Sequence, residues 1–300
     1  MLRSVAFLMD EKDRNNETLR TAILDETGYI RDCGYGAEIS FDKEKLPKER
    51  ETLVVTDSPD LAKELLDAGF YVTGMLHDGN KGMQFPQVKY VFGEIDQVDM
   101  DSFVKVYQRY AGEPWEILRT ERLIIRETTL EDVDEFYKLY ADPEMTLYME
   151  GLFEDPKDEK RYQKDYIEKV YYLMGFGVWT LQRISDGKVI GRAGYSVRNG
   201  FDEVELGFLV GKEYQRQGYC MEACRAILDY GRDMLSFDKV QTLVKEKNEV
   251  SIHICKKLGF QETGKVNVEE NIYGKQYNQG KKVALSQSQY GDYVKMTLSF

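Results

Sequence analysis

Two groups of residues in the second half of the chain have the types and spacing to do chemistry. The first is Gln215-Arg216-Gln217-Gly218-Tyr219-Cys220. It lies between an apolar strand pattern, Val204 to Val210, and the apolar residues Cys224, Ile227, Leu228 and Leu235 at helical spacing. A glycine at such a junction lets the backbone turn sharply or lets a ligand come close to it. The first amides of a helix lack partners and sit at the positive end of its macrodipole, so this turn is a seat for an anionic group. Taken alone it also reads as an ordinary strand-to-helix connection. A phosphate loop of the Walker type is disfavoured, because no Gly-Lys-Ser/Thr follows. The second group is a single carboxylate, Glu205, which alternates against Val204, Leu206 and Phe208 and so faces opposite to the apolar set. There it is either a general base or a polar-face or ion-paired structural residue.

These residues need a sheet and helices to hold them, and the pattern supplies both. Thr120 onward reads as a strand "RLIIRE", a helix "TTLEDVDEFYKLYAD" with Thr129 and Asp132 at capping-box spacing, and a second helix "DPKDEKRYQKDYIEKVYYLM". Strands "FGVWTLQRI" and "KVIGRAGYSVR", joined by the turn "SDG", then "VELGFLV", precede the Gly218 helix. After it come the strand "KVQTLVKE", a short helix "EVSIHICKKL" closed by Gly259, and strands to the end. The segment Val266 to Tyr290 is longer than a plain hairpin loop, enough to cover an acceptor site or meet a partner. The first half differs. "LVVTDSPDLAKELLDAGFYVTGML" is a β-α-β unit, with Ser58 as cap, Pro59 at the first helical position and Gly69 closing the helix. With "VKYVFG" and "DMDSFVKVYQRY" it predicts a small Rossmann-like parallel-sheet domain over residues 1–114, and a second domain over 115–300.

Composition bounds the partners. Forty-two per cent apolar and 12% aromatic residues describe a globular chain, and 41 basic against 53 acidic residues give a net charge of −12. No Lys/Arg stripe is present, so nucleic acid and an anionic membrane are not expected as partners. The opening "MLRSVAFLMDEKDRNN" is too short in apolar residues for a signal peptide, and no segment approaches a membrane span, which predicts a cytoplasmic protein. The sparse cysteines, Cys33, Cys220, Cys224 and Cys255, read as reduced thiols. Cys220 and Cys224 share a helix face, but no further Cys/His pair stands at zinc spacing, so no metal is expected.

The element order of the second half, together with three motifs, resembles the GNAT superfamily of N-acetyltransferases. Gln215 to Cys220 is similar to the family's acyl-CoA loop. Asn248, Ser251 and Leu258-Gly259-Phe260 are similar to its later helix signature. "TERLIIRETTLEDVDEFYKLYADPEM" is similar to the subgroup that acetylates ribosomal-protein N-termini and to its antibiotic- and metabolite-modifying relatives. The resemblance implies an α/β fold with a mixed, mostly antiparallel central sheet flanked by helices, with acetyl-CoA as co-substrate. It implies a pyrophosphate received by Gln215, Arg216, Gln217, Gly218, Tyr219 and Cys220, and a pantetheine arm along Phe208, Leu209 and Val210. It adds Asn248 and Ser251 to the cofactor site, Glu205 as base, and a backbone N–H near Leu209 for the oxyanion. Tyr148, Met149, Glu150 and Trp179 fall where acceptor-pocket walls are expected, Trp179 also reading as core. Cys220 departs from the usual Gly or Ala, so its side chain has to point into the helix packing. Cys255 stands where relatives place a Tyr that protonates the thiolate, and reads as a packed core thiol or a proton donor. The acceptor would be a small-molecule amine or a peptide N-terminus. The alternative reading is a non-catalytic acyl-CoA-binding or regulatory module.

The first half more faintly resembles haloacid dehalogenase-like phosphatases, in "LVVTDS" and "VKYVFGEID", but Leu8 stands where their nucleophilic Asp belongs and only Asp10 remains. It reads as an accessory domain for substrate presentation, ligand sensing or homodimer formation. Thr56, Asp57 and Ser58 are either an anion site or a helix cap.

Overall fold

The computed structural model describes residues 1–42 and 51–300. They form two compact units, Met1–Trp115 and Glu116–Phe300. The first unit contains β1 (Ser4–Leu8), α1 (Glu17–Asp32), β2 (Gly36–Ser40), β3 (Thr52–Thr56), α2 (Pro59–Asp67), β4 (Tyr71–Met75), β5 (Val91–Phe92) and α3 (Met100–Ala111). Its five strands pair only in parallel, in the order β2-β1-β3-β4-β5. A parallel sheet needs cover on both faces, and the alternation along β1 provides it. Val5 and Phe7 pack with Leu53 and Val55 under Ile23, Ile30, Phe103 and Val106 of α1 and α3. Leu8, Val54 and Val72 face Leu61 and Leu65 of α2 on the other side. Helix α2 starts as the residues dictate: Ser58 Oγ accepts from the Leu61 amide at 3.4 Å, Pro59 follows, and Gly69 turns left-handed at φ 86°. The strand expected over "VKYVFG" shrinks to Val91–Phe92, because the residues before it make turns and only these two reach the ladder of β4.

The second unit contains β6 (Glu116–Arg119), β7 (Leu123–Arg126), α4 (Asp132–Tyr140) and α5 (Pro156–Asp165), which continues through a π-helical stretch to Met174. Then follow β8 (Val178–Arg183), β9 (Val189–Ser196), β10 (Val204–Val210), α7 (Tyr219–Asp233), β11 (Lys239–Lys245), α8 (Glu249–Lys257), β12 (Gln261–Glu270) and β13 (Gln289–Ser299), α6 being the last turn of the α5 run, Tyr172–Met174. The eight-stranded sheet runs β12-β13-β11-β10-β9-β8-β7-β6, antiparallel everywhere except between β10 and β11. That one parallel pair holds only at Val204–Val240 and Glu205–Gln241, and beyond it the two strands part. Register assigns the faces. Trp179, Ala193 and Phe208 lie across from one another on the α7 side, where Trp179 meets Tyr230 edge-on and Tyr195 donates to the Ile227 carbonyl at 2.9 Å. Thr180, Arg192, Leu209 and Glu205 lie on the opposite face, which α4 covers through Phe136 beneath the Arg192 guanidinium. The α4 start is pinned by Asp132, which accepts from the Thr129 amide and takes Arg126 at 2.7 and 2.8 Å. Burial works against its charge, but these bonds and one from Thr180 outweigh it and hold the carboxyl below the usual range.

Candidate active site

The connection from β10 to α7 is the site's first half. Arg216 (φ 59°) and Gly218 (φ 86°) are both left-handed, and Gly218 caps the helix with no side chain to offer it. A non-glycine residue there costs about 1–2 kcal/mol, so the Arg216 conformation has to be imposed. Gln215 Nε2 donates to the Val210 carbonyl at 3.1 Å and Gln217 Nε2 to the Glu213 carbonyl at 2.9 Å. Arg122, in the turn between β6 and β7, donates to the Gln217 carbonyl at 2.9 Å and lies over the Tyr219 ring. Its Nε and amide both hold the Glu222 carboxylate, which Thr120 also reaches at 2.6 Å. Burial works against the Glu222 charge, and Thr120 and Arg122 outweigh it, holding the carboxyl below its ordinary value. So stapled, the loop leaves the backbone amides from Arg216 to Met221 without an acceptor among the described residues. A row of free N–H groups on a helix N-terminus is a seat for phosphate oxygens. Cys220 packs against the core beside Cys224, away from that row.

The parted strands are the second half. Gly211 donates to the Ile190 carbonyl at 2.9 Å, and the register of β9 and β10 is unbroken. Ladder bonds alternate along an antiparallel pair, so Glu205, Gly207 and Leu209 exchange theirs with β9, whereas Leu206, Phe208 and Val210 direct their N–H and C=O groups at the gap. The oxyanion donor expected near Leu209 is therefore corrected: its amide is turned into the β9 ladder, and those of Phe208 and Val210 face the open side.

Glu205 lies at the narrow end of this gap. It is 7% exposed, and Arg198 Nε donates to its Oε2 at 2.7 Å. Burial raises its pKa, Arg198 and the Leu243 amide oppose that, and Glu150 adds to it. Around it stand Tyr293, whose hydroxyl donates to Glu270 at 2.5 Å, and Lys245, 3.0 Å from the same carboxylate. Glu150 itself is exposed, accepts from the Asn271 amide at 2.6 Å, and is felt by both Arg198 and Tyr293. Tyr148 is half-buried and Met149 is exposed on the same loop. The chain from 271 to 288 folds back to α5: Tyr273 and Tyr277 pack on Tyr162, and the Tyr277 hydroxyl reaches Asp165 at 2.6 Å.

Four expected residues stand elsewhere or do something local. Trp179 is fully buried on the α7 face, opposite Glu205, so it is core and not an acceptor wall. Asn248 Oδ1 accepts from the Ser251 amide at 3.1 Å, which makes this pair the N-cap of α8. Cys255 is fully buried, and burial, opposed by Thr242 and reinforced by Cys220, pushes its thiol up to about 12, the signature of a packed thiol. Sequence reasoning missed Arg122, Glu222 and Arg198. Arg122 and Glu222 meet across 100 residues, and nothing local in the pattern pairs them.

A family described as "Acetyltransferase (GNAT) domain" matches residues 122–261. An uncharacterized N-acetyltransferase, p20, of Bacillus licheniformis is 30% identical over 166 residues, covering 53% of this chain and 90% of the relative. The spermidine N(1)-acetyltransferase of Escherichia coli K12 is 35% identical over 86 residues, 29% of this chain and 46% of that protein. A crystal structure of a GNAT-family acetyltransferase from Bacillus anthracis superposes with a TM-score of 0.45 at 19% identity, over 61% of this chain and 97% of that one. The chain belongs to the GNAT family of acetyltransferases, an acyltransferase family whose acetyl donor is acetyl-CoA. Among the described residues no helix is long and apolar enough to cross a membrane.

Proposed function

We propose that the unit Glu116–Phe300 moves an acetyl group from acetyl-CoA to a primary amine by direct attack on the thioester. The observation that carries this reading is the row of unpartnered amides from Arg216 to Met221 beside an open strand edge. The pyrophosphate sits on those amides, and the pantetheine arm runs along Phe208 to Val210 as an added strand. The amides of Phe208 and Val210 stabilise the oxyanion. Glu205 is the base: it is buried, charge-balanced by Arg198, and on the sheet face opposite α7. The acceptor approaches past Glu150 and the 271–288 segment, where Glu150, Glu205 and Glu270 favour a cationic amine, whether a small molecule or a peptide N-terminus. That the Escherichia coli relative is named for spermidine supports an amine of this kind. The unit Met1–Trp115 is an accessory domain in this reading.

Calorimetric titration with acetyl-CoA tests the donor site. A Cβ at Gly218 would combine a left-handed φ with a 3.3 Å approach to Arg122 Nη2, and a carboxylate there would also repel the pyrophosphate. Wild type is expected to bind, Gly218→Ala to bind more weakly, and Gly218→Glu to lose at least about tenfold more, each a step of 1.4 kcal/mol or greater. No binding by folded wild type, or equal binding by all three, overturns the reading.

A further inference from the structure

The first unit carries a polar cluster that the acetyl-transfer site does not use. Loops at the C-terminal ends of β1, β3 and β4 bring Asp13, Asp57 and His77 together, their ligand atoms within 4.8 Å of one another. In open parallel sheets this edge is where ligands bind. One atom of each side chain, Asp13 Oδ2, Asp57 Oδ2 and His77 Nε2, is buried with no hydrogen-bond partner. The Asp57 side chain is 0% exposed and that of His77 10%, with their facing atoms 3.5 Å apart. Leaving such buried polar atoms without a hydrogen bond costs on the order of 1–3 kcal/mol each, more when charged, a cost that a group bound between them would relieve.

The surroundings hold the cluster in place. Asp57 Oδ1 is oriented by the Asp10 amide at 2.8 Å. Asn80 ties the loops after β3 and β4 together, donating to the Asp57 and Met75 carbonyls at 3.0 Å each and accepting from the His77 amide at 2.7 Å. The anion reading of Thr56–Asp57–Ser58 gives way here. Thr56 and Ser58 hydroxyl oxygens accept the Ser58 and Leu61 amides, and two carboxylates point at the remaining space.

We propose that Asp13, Asp57 and His77 hold a divalent metal ion at this sheet edge. Two carboxylate oxygens and one imidazole suit a first-row ion of the manganese, iron or zinc kind, and three protein ligands leave positions open for water or a further ligand. His77 Nδ1 accepts the Gly79 amide at 3.1 Å, which leaves the proton of the neutral ring on Nε2, facing Asp57. An ion on Nε2 displaces that proton to Nδ1 and opens the Gly79 contact, so binding has a tautomer signature. Sequence spacing gave no such signal, since the ligands lie 44 and 20 residues apart.

The test uses the full chain, stripped with chelator. Manganese binding is followed by the loss of free Mn²⁺ electron paramagnetic resonance signal, which avoids the thiols. One ion per chain is expected, with at least tenfold weaker binding in Asp13→Asn, a half-buried position whose variant keeps the fold by circular dichroism, and in Asp57→Asn. In parallel, long-range proton–nitrogen spectra of a Cys33→Ser chain should show His77 pass from the Nε2–H to the Nδ1–H form on adding Zn²⁺. His253 is the only other histidine, so assignment is direct. No Mn²⁺ uptake by the folded chain, uptake unchanged in both variants, or an unchanged His77 tautomer overturns the assignment.

Discussion

Glu205→Gln removes the proposed base with little change of shape. Gln keeps an acceptor for Arg198, and Arg198 is 34% exposed, so water replaces what the lost charge gave it and the stability cost is on the order of 1 kcal/mol. The kinetic cost depends on the acceptor. An alkyl ammonium of pKa about 10.4 is free base in roughly one part in a thousand at pH 7.5, whereas a peptide α-amine of pKa about 7.8 is about one-third free. A positioned base contributes on the order of 10²–10⁴-fold, about 3–5 kcal/mol of barrier, and an alkyl amine draws on most of it. The assay follows thiol release from acetyl-CoA with the best wild-type amine across pH 6 to 10. In wild type, burial raises the Glu205 pKa, so the ionised base is lost as pH falls through that elevated value. In Glu205→Gln the rate at pH 7.5 should drop by about 10² or more and then climb tenfold per pH unit as the amine itself deprotonates. Acetyl-CoA affinity should be unchanged, because Glu205 makes none of the contacts proposed for the cofactor. A variant with wild-type turnover and an unchanged profile refutes Glu205 as the base. Arg198→Ala should move the acid limb of the wild-type profile to higher pH, since it removes the group opposing burial.

Gly231→Ala should destabilise the second unit by about 1–3 kcal/mol in a urea melt. The helix propensity gain of about 1 kcal/mol is overridden, because the new Cβ meets the buried Tyr195 hydroxyl that donates to Ile227. Equal or higher stability would mean that Tyr195 moves freely. In the first unit, burial and the Asp96 charge push the Glu26 carboxyl up to about 7. Its folded pKa lies above its unfolded one, so the folded state holds the extra proton and stability falls as pH rises between about 4.5 and 7. Glu26→Gln should flatten that slope and gain about 1–3 kcal/mol at pH 8; an unaltered slope would place the titration elsewhere.

Most of the fold was legible because its signals are local. Ser58-Pro59 with Gly69 and the alternation in Val204 to Val210 each report on a few neighbouring residues, and the structure realises them as a helix start and stop and as strand faces; of the Thr129–Asp132 capping box only the Asp132 carboxylate on the Thr129 amide forms, and no side chain caps α4. The short β5 shows the limit: "VKYVFG" has strand propensity throughout, yet pairing is decided by where β4 runs, and only Val91–Phe92 meet it. Trp179 shows the same limit for the site. Its type suits a pocket wall, but only the cross-strand register with Ala193 and Phe208 assigns it to the α7 face.

What remained hidden is what the sheet brings together from afar. The Gly218 turn was visible as a loop, but the side chains that staple it, at the Gln217 carbonyl and at Glu222, come from Arg122 and Thr120, about a hundred residues earlier. That the Leu209 amide is turned into the β9 ladder was hidden for a related reason. Composition says which residues form β10, while hydrogen-bond parity, fixed by Gly211 on Ile190, says which of their amides are spent. A glutamate at position 205 is likewise an ordinary polar-face residue until Arg198, from the β9–β10 connection, donates to it and opposes the upward push of burial on its carboxyl. Were Arg198 absent, burial would push the Glu205 carboxyl higher still. The base role proposed for Glu205 thus depends on a partner that the strand pattern does not encode, and the pH limb of Arg198→Ala is where that dependence becomes measurable.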